Sequence, residues 1–258
     1  MRRVGMLVML LPACFTIPEY DGPGSSMDED GDGIEDLQDQ CPHINSAGAP
    51  QADSDNDGVG NGCDPDPGMQ DIHVFYGFGA FNIGDLSTTG RVQPNDSFVE
   101  IGATGTDAYN GVTSDRALST TQIDVRFLAI ESVDTVDGGF GLRLGNYGPG
   151  DDDAGFCKID LEPPDRLQLT ATYKSPISGS TRSMTSGVTD LPFAGASGHL
   201  RGTLVGTELT CLIDQLATEH SPISISVTLD EPAVPGTPGG YARNSIVGLE
   251  YLFIVGLP

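Results

Sequence analysis

Tryptophan is absent from this chain of 258 residues, and cationic side chains are scarce: 12 Lys and Arg stand against 37 Asp and Glu, for a formal net charge of −25. So acidic a chain repels phosphate backbones and anionic headgroups, which excludes nucleic acid as an expected partner. No apolar run is long enough to cross a bilayer. Helix-favouring stretches are equally scarce. The four histidines, His43, His73, His199 and His220, are isolated, with no H-E-x-x-H and no Cys/His cluster of the kind that holds zinc. Serines are common but none sits in a G-x-S-x-G elbow between a strand and a helix.

What the chain does have is 35 glycines, 18 prolines and a 38% hydrophobic content, arranged as short Val, Ile, Thr, Leu and Phe stretches between turn residues. That pattern predicts an all-β protein with a real core. At the N-terminus, Arg2 and Arg3 precede a short apolar run from Val4 to Leu11, the layout of an export signal. The run ends in Leu11-Pro12-Ala13-Cys14, which resembles a bacterial lipobox, although proline at its second position is atypical. The resemblance implies a signal over 1–13, lipid on Cys14, and membrane attachment through that anchor alone, on an exported protein at the cell surface or outer membrane, or secreted. Four cysteines remain, in two local pairs: Cys41 with Cys63, and Cys157 with Cys211. An even remainder in an exported chain points to disulfides; three connectivities are formally open, and a crossed pairing would tie two compositional blocks together.

Composition divides the rest. Residues 14–27 are Gly-, Pro- and Ser-rich and read as a flexible tether. Residues 28–67 carry twelve acidic side chains and no Lys or Arg. From 71 to 258 apolar strands alternate with turns, and we expect strands at 72–76, 98–101, 122–131, 139–144, 156–161, 167–173, 200–205, 208–213, 223–229, 245–249 and 251–255. Along Ile123 to Ile130 the alternation predicts Ile123, Val125, Phe127 and Ala129 inward, with Asp124 and Arg126 facing water. Eleven strands without helices between them predict a two-sheet antiparallel sandwich, because each sheet must bury one face.

In the acidic block, Asp28, Asp30, Asp32, Gly33 and Asp39 take positions one, three, five, six and twelve of a loop, and Asp53, Asp55, Asp57, Gly58 and Asp64 repeat that spacing. Calcium wants six to eight hard oxygens, and short Asp side chains at alternate positions converge inside a tight turn that glycine permits. The position-seven carbonyls belong to Ile34 and Val59, and position nine to Asp36 and Asn61. No helices flank the loops and position twelve is not Glu, unlike an EF-hand. With Cys41-Pro42 after the first loop, Gln51-Ala52 before the second and Cys63-Asp64 closing it, the block resembles a pair of thrombospondin type 3 repeats. The resemblance implies a mostly irregular segment in which calcium replaces an apolar core and disulfides link neighbouring repeats. Its ligands would be Asp28, Asp30, Asp32, Asp36, Asp39, Asp53, Asp55, Asp57 and Asp64, beside the carbonyls of Ile34 and Val59. Asn61-Gly62 departs from the family, where an acidic residue is common. Without metal, so many carboxylates should repel one another, so binding and folding should be one event.

The block from 71 to 258 resembles a concanavalin A-like, laminin G-like jelly roll, most visibly at Gly139–Leu144, Phe156–Leu161 and Asn244–Val255. The resemblance implies a lectin, an adhesion module or a glycoside hydrolase. Hydrolases on this fold carry E-x-D-x-x-E on one strand, to flank a sugar bond with two carboxylates. This chain has none; Glu131, Asp134 and Asp137 run into Gly138-Gly139 and read as turn acids. No enzymatic activity is expected. Sugar faces are usually held by stacked aromatic rings, and without Trp the candidates are Tyr109, Tyr147 and Tyr241. Asp151-Asp152-Asp153 could be a further calcium rim or a solvated turn, and the turn is the simpler reading. The expectation is a calcium-binding adhesion or ligand-binding module, with an extracellular glycan or protein as partner and the acidic segment as a rigid spacer. A stalk without a ligand and a degenerate polysaccharide hydrolase are the rival readings.

Overall fold

A computed structural model describes residues 28–49, 51–78, 86–95, 98–104, 109–132, 138–145, 155–162, 166–175, 177–186, 195–214 and 222–257. The signal, Cys14, the tether, Asp134, Asp137, Tyr147, Asp151–Asp153 and His220 lie outside them. Within the described residues no helix is long and apolar enough to cross a membrane.

The strands run β1 (Ile72–Gly77), β2 (Ser87–Thr89), β3 (Val92–Pro94), β4 (Val99–Gly102), β5 (Asn110–Thr113), β6 (Thr120–Ser132), β7 (Gly139–Gly145) and β8 (Gly155–Glu162). They continue as β9 (Arg166–Lys174), β10 (Thr181–Thr185), β11 (Ser197–Val205), β12 (Glu208–Asp214), β13 (Ile223–Thr228), β14 (Gly239–Arg243) and β15 (Ser245–Leu257). One antiparallel sheet has the order β13-β12-β11-β6-β15-β4-β3, and the other β10-β9-β8-β7-β14-β5-β2. β15 is long enough to pair with β6 on one side along its length, and on the other with β4 through Ile246–Leu249 and then with β1 through Tyr251–Gly256. The two stretches expected at 245–249 and 251–255 are therefore one strand, whose register slips between Leu249 and Tyr251.

The core lies between the sheets. Ile123, Val125, Phe127 and Ala129 of β6 point into it as the alternation predicts, against Phe140, Leu142 and Leu144 of β7. Cys157 of β8 and Cys211 of β12 form a disulfide that joins one sheet to the other. Gly202 of β11 makes room for it: a Cβ there would meet Leu144 at 2.7 Å and the Cys157 sulfur at 3.1 Å.

The described residues of 28–71 contain no strand and lie on the outer face of the eight-stranded sheet. Cys41 and Cys63 are disulfide-bonded, and with Val59 they pack on Tyr251, Phe253 and Val255, flanked by Ile44 and Phe75. Two expectations are corrected here. The acidic segment is a covering layer on the sandwich, not a projecting spacer. Asp124 does not face water: it is fully buried beneath that layer, while Arg126 stays half-exposed and pairs with Glu250 at 3.2 Å. Alternation decides which face of the sheet a side chain takes, but here both faces are covered.

Candidate metal centre and ligand face

The two acidic loops are repeats in geometry as well as in spacing. In each, the position-one carboxylate accepts the glycine N–H of position six, Gly33 to Asp28 at 2.9 Å and Gly58 to Asp53 at 3.1 Å. The position-five carboxylate accepts the N–H of position seven, Ile34 to Asp32 and Val59 to Asp57, both at 2.8 Å. Positions four and six adopt positive φ in both loops, at Gly31 and Gly33 and at Asn56 and Gly58. Asn61 stands where Asp36 stands in the first loop, and each accepts the N–H of position two at 2.9 Å. The departure from an acidic residue at Asn61 thus keeps the turn and removes a charge.

These bonds wind the chain so that carboxylates converge. Asp28, Asp30 and Asp32 bring oxygens within 4.8 Å of one another, and so do Asp53, Asp55 and Asp57. Asp64 joins a different group, with Asp57 and Asp71. Asp39 accepts the Cys41 N–H at 2.9 Å and the Gln51 amide at 2.8 Å. The same positions are left unsatisfied in the two loops: Oδ2 of Asp30 and both oxygens of Asp55 at position three, and Oδ2 of Asp39 and of Asp64 at position twelve, are buried without a hydrogen-bond donor. A buried carboxylate oxygen without a donor is costly. Burial, then the neighbouring carboxylates, pushes Asp30 up to about 6. Burial foremost likewise pushes Asp36 up to about 7, against a hydrogen bond from Glu29 that pulls it down. Hard oxygens alone, converging and short of donors, are the donor set of a calcium ion, and these residues fit one.

Beneath the segment, Asp124 is the centre of a buried polar node. Its carboxylate accepts from Arg201 Nε and from the Tyr251 hydroxyl, each at 2.7 Å, while His43 Nε2 lies 3.7 Å away. His43 comes from the segment and stacks obliquely on Phe253, with ring centroids 4.8 Å apart. Sequence reading missed this node because its members are scattered over residues 43 to 251.

The opposite side of the molecule presents a second feature. On the outer face of the seven-stranded sheet, Tyr241 of β14 has a glycine beside it on each neighbouring strand, Gly111 of β5 and Gly141 of β7. A Cβ at Gly141 would sit 2.7 Å from the Tyr241 hydroxyl, so the ring leans over bare backbone. Tyr109 and Phe156 meet Tyr241 edge-on at 5.3 and 5.2 Å, Arg143 lies over Phe156, and Arg243 lies over Tyr109. Tyr109 and Tyr241, two of the three aromatic candidates from the sequence, are thus brought together. Thr89 and Thr113 complete a trough of about 100 Å³. Cavities that enclose a whole ligand run to roughly 300 Å³ or more, so a ligand here would lie on the trough rather than inside it.

No protein-family model matches the chain, and no curated protein matches it in sequence. Among solved structures it is similar to a lectin from Bauhinia forficata in complex with GalNAc, at TM-score 0.51 and 10% identity over 71% of this chain and 98% of that one. It is similar to a native glycosidic hydrolase at TM-score 0.51 and 11% identity, over 72% and 97%. A legume lectin-like domain from Entamoeba histolytica covers 67% of this chain and 91% of its own, at TM-score 0.46 and 13% identity. At these identities the likeness establishes the fold, an antiparallel concanavalin A-like jelly-roll sandwich, and no more.

Proposed function

We propose that the protein is a calcium-binding recognition module without catalytic activity, in which the segment 28–71 holds calcium and the outer trough of the seven-stranded sheet holds a sugar ring. The observation that carries the metal half is the recurrence of unsatisfied, buried carboxylate oxygens at positions three and twelve of both loops. Bound calcium would supply the positive charge these oxygens lack. Asp28, Asp30 and Asp32 would hold it in the first loop, and Asp53, Asp55 and Asp57 in the second, as in the thrombospondin type 3 pattern that the spacing resembles. The hydrogen bonds from Gly33, Ile34, Gly58 and Val59 orient those side chains beforehand.

The sugar half rests on Tyr241, Tyr109 and Phe156, which offer apolar ring surface, with Arg143, Thr89 and Thr113 as hydrogen-bonding rim. Sugars are amphipathic in the same way, with C–H faces and hydroxyl edges, and the fold is shared with a lectin and a glycosidic hydrolase. We read the protein as exported and held at the cell surface through Cys14, a residue the N-terminal pattern supports. Titration calorimetry of the full chain before and after chelation tests the metal half, and a glycan array tests the sugar half. The Asp30→Asn/Asp55→Asn variant should bind calcium at least about tenfold more weakly, and Tyr241→Ala should lose glycan signal with the melting temperature unchanged. A chelated wild type that takes up no calcium sinks the first half; an empty array sinks the second.

A further inference from the structure

We infer that Asp71, with Asp57 and Asp64, forms an additional cation site that clasps the acidic segment to the first strand of the sandwich. This inference rests on the metal reading of the segment, but concerns a residue outside both loop motifs. Oxygens of the three carboxylates lie within 4.8 Å of one another. A single calcium ion at its usual distance of roughly 2.4 Å from each ligand reaches across that span. Asp71 is only 8% exposed, and neither of its carboxylate oxygens has a hydrogen-bond donor. Asp64 is buried to the same degree, and its Oδ2 is likewise without a donor.

The first loop supplies an internal comparison. Oδ2 of Asp32 is capped by the backbone N–H of Ser46, at 3.1 Å, and by the Ser46 hydroxyl. Fourteen residues after Asp57, as Ser46 is after Asp32, stands Asp71, and its N–H caps Asp57 Oδ2 in the same way at 2.7 Å. The backbone contact is conserved between the loops, and the side chain is not. Where the first loop closes with a neutral hydroxyl, the second closes with a carboxylate driven against two others. No Lys or Arg occurs anywhere from residue 4 to residue 90, so this stretch of chain has no lysine or arginine of its own to offer. A divalent cation is the partner that three converging hard oxygens would take.

Position gives the site its role. Asp71 is the residue before β1, which is paired to β15 along Ile72–Gly77. Asp64 follows Cys63, whose carbonyl accepts the Gln122 amide of β6 at 2.8 Å. An ion held by both therefore joins the end of the segment to the sheet that the segment covers.

The test compares full-length wild type with Asp71→Ser, which imitates Ser46, and Asp71→Asn, which keeps the side-chain shape, by equilibrium dialysis against calcium. Each variant should bind one ion fewer per chain, and amide exchange over residues 64–77 at saturating calcium should quicken by about tenfold or more. Both variants binding as many ions as wild type overturns the inference. Far-UV circular dichroism checks that the sandwich is intact, and should Asp71→Ser not fold, Asp71→Asn decides. Asp30→Asn run alongside separates the readings: if it loses an ion and Asp71→Asn does not, the additional site fails while the loop sites stand.

Discussion

Asp124 occupies an outward position on β6, and what makes it tolerable there is its partners rather than solvent. Arg201 and Tyr251 donate to it, and His43 of the acidic segment closes the node from above. Asp124→Ala removes the carboxylate to which Arg201 Nε donates beneath the segment. Removing one partner of a buried pair costs about 3–5 kcal/mol, and because Arg201 is a quarter exposed we expect roughly 2–3 kcal/mol in urea unfolding. His43 gives the node a pH dependence. Burial foremost holds its imidazole at about 4, below the ordinary 6.5, against the opposing pull of Asp124. The docked state thus needs neutral His43: its contribution is full above pH 6.5 and is lost as pH falls through about 4. In urea unfolding from pH 7 to pH 4, the stability advantage of wild type over His43→Gln should shrink as the pH drops; an advantage that grows instead would refute the docking role of the neutral ring. None of this was legible beforehand, because period-two alternation around Asp124 carries no trace of a covering layer encoded some eighty residues earlier.

Among the elements, those whose side chains alternate were readable and those made of glycine or polar residues were not. β6, β8, β9, β11 and β12 fall where the pattern placed them. β10, Thr-Arg-Ser-Met-Thr, is exposed at every position on a sheet edge, and β14, Gly-Gly-Tyr-Ala-Arg, looks like a turn. Yet the glycines around Tyr241 are what allow its ring to lie over the sheet, so the least strand-like sequence builds the candidate ligand face. In β15 every residue of Tyr251–Val255 is buried, because the segment covers the face that the core does not. The repeated geometry of the two acidic loops was legible because its information is local, whereas Asp71 lies beyond the motif. The Cys157–Cys211 bridge closes a separation of 54 residues between the sheets. Replacing both cysteines with alanine should cost about 4 kcal/mol by loop-closure entropy, read as a shift of the urea midpoint with wild type under oxidising conditions as reference.

For the molecule as a whole, the acidic segment both carries a large share of the negative charge and shields an apolar face made of Phe75, Tyr251, Phe253 and Val255. Chelation should loosen the segment by self-repulsion while its disulfide and the sandwich persist, uncovering that face. Binding of an apolar dye such as ANS should rise on adding EDTA and fall on restoring calcium, and raised salt should blunt the change by screening. A dye signal indifferent to chelation would count against metal-held docking. The central place of β15 has a consequence for how the molecule is made. β15 is the partner of β1 and the strand between β6 and β4, so the β13-β12-β11-β6 and β4-β3 parts of the larger sheet join only once Ser245–Leu257 is in place. Assembly from such distant pieces is slow, and until β15 joins them the two parts of the sheet stay separable, open to being threaded through a narrow passage.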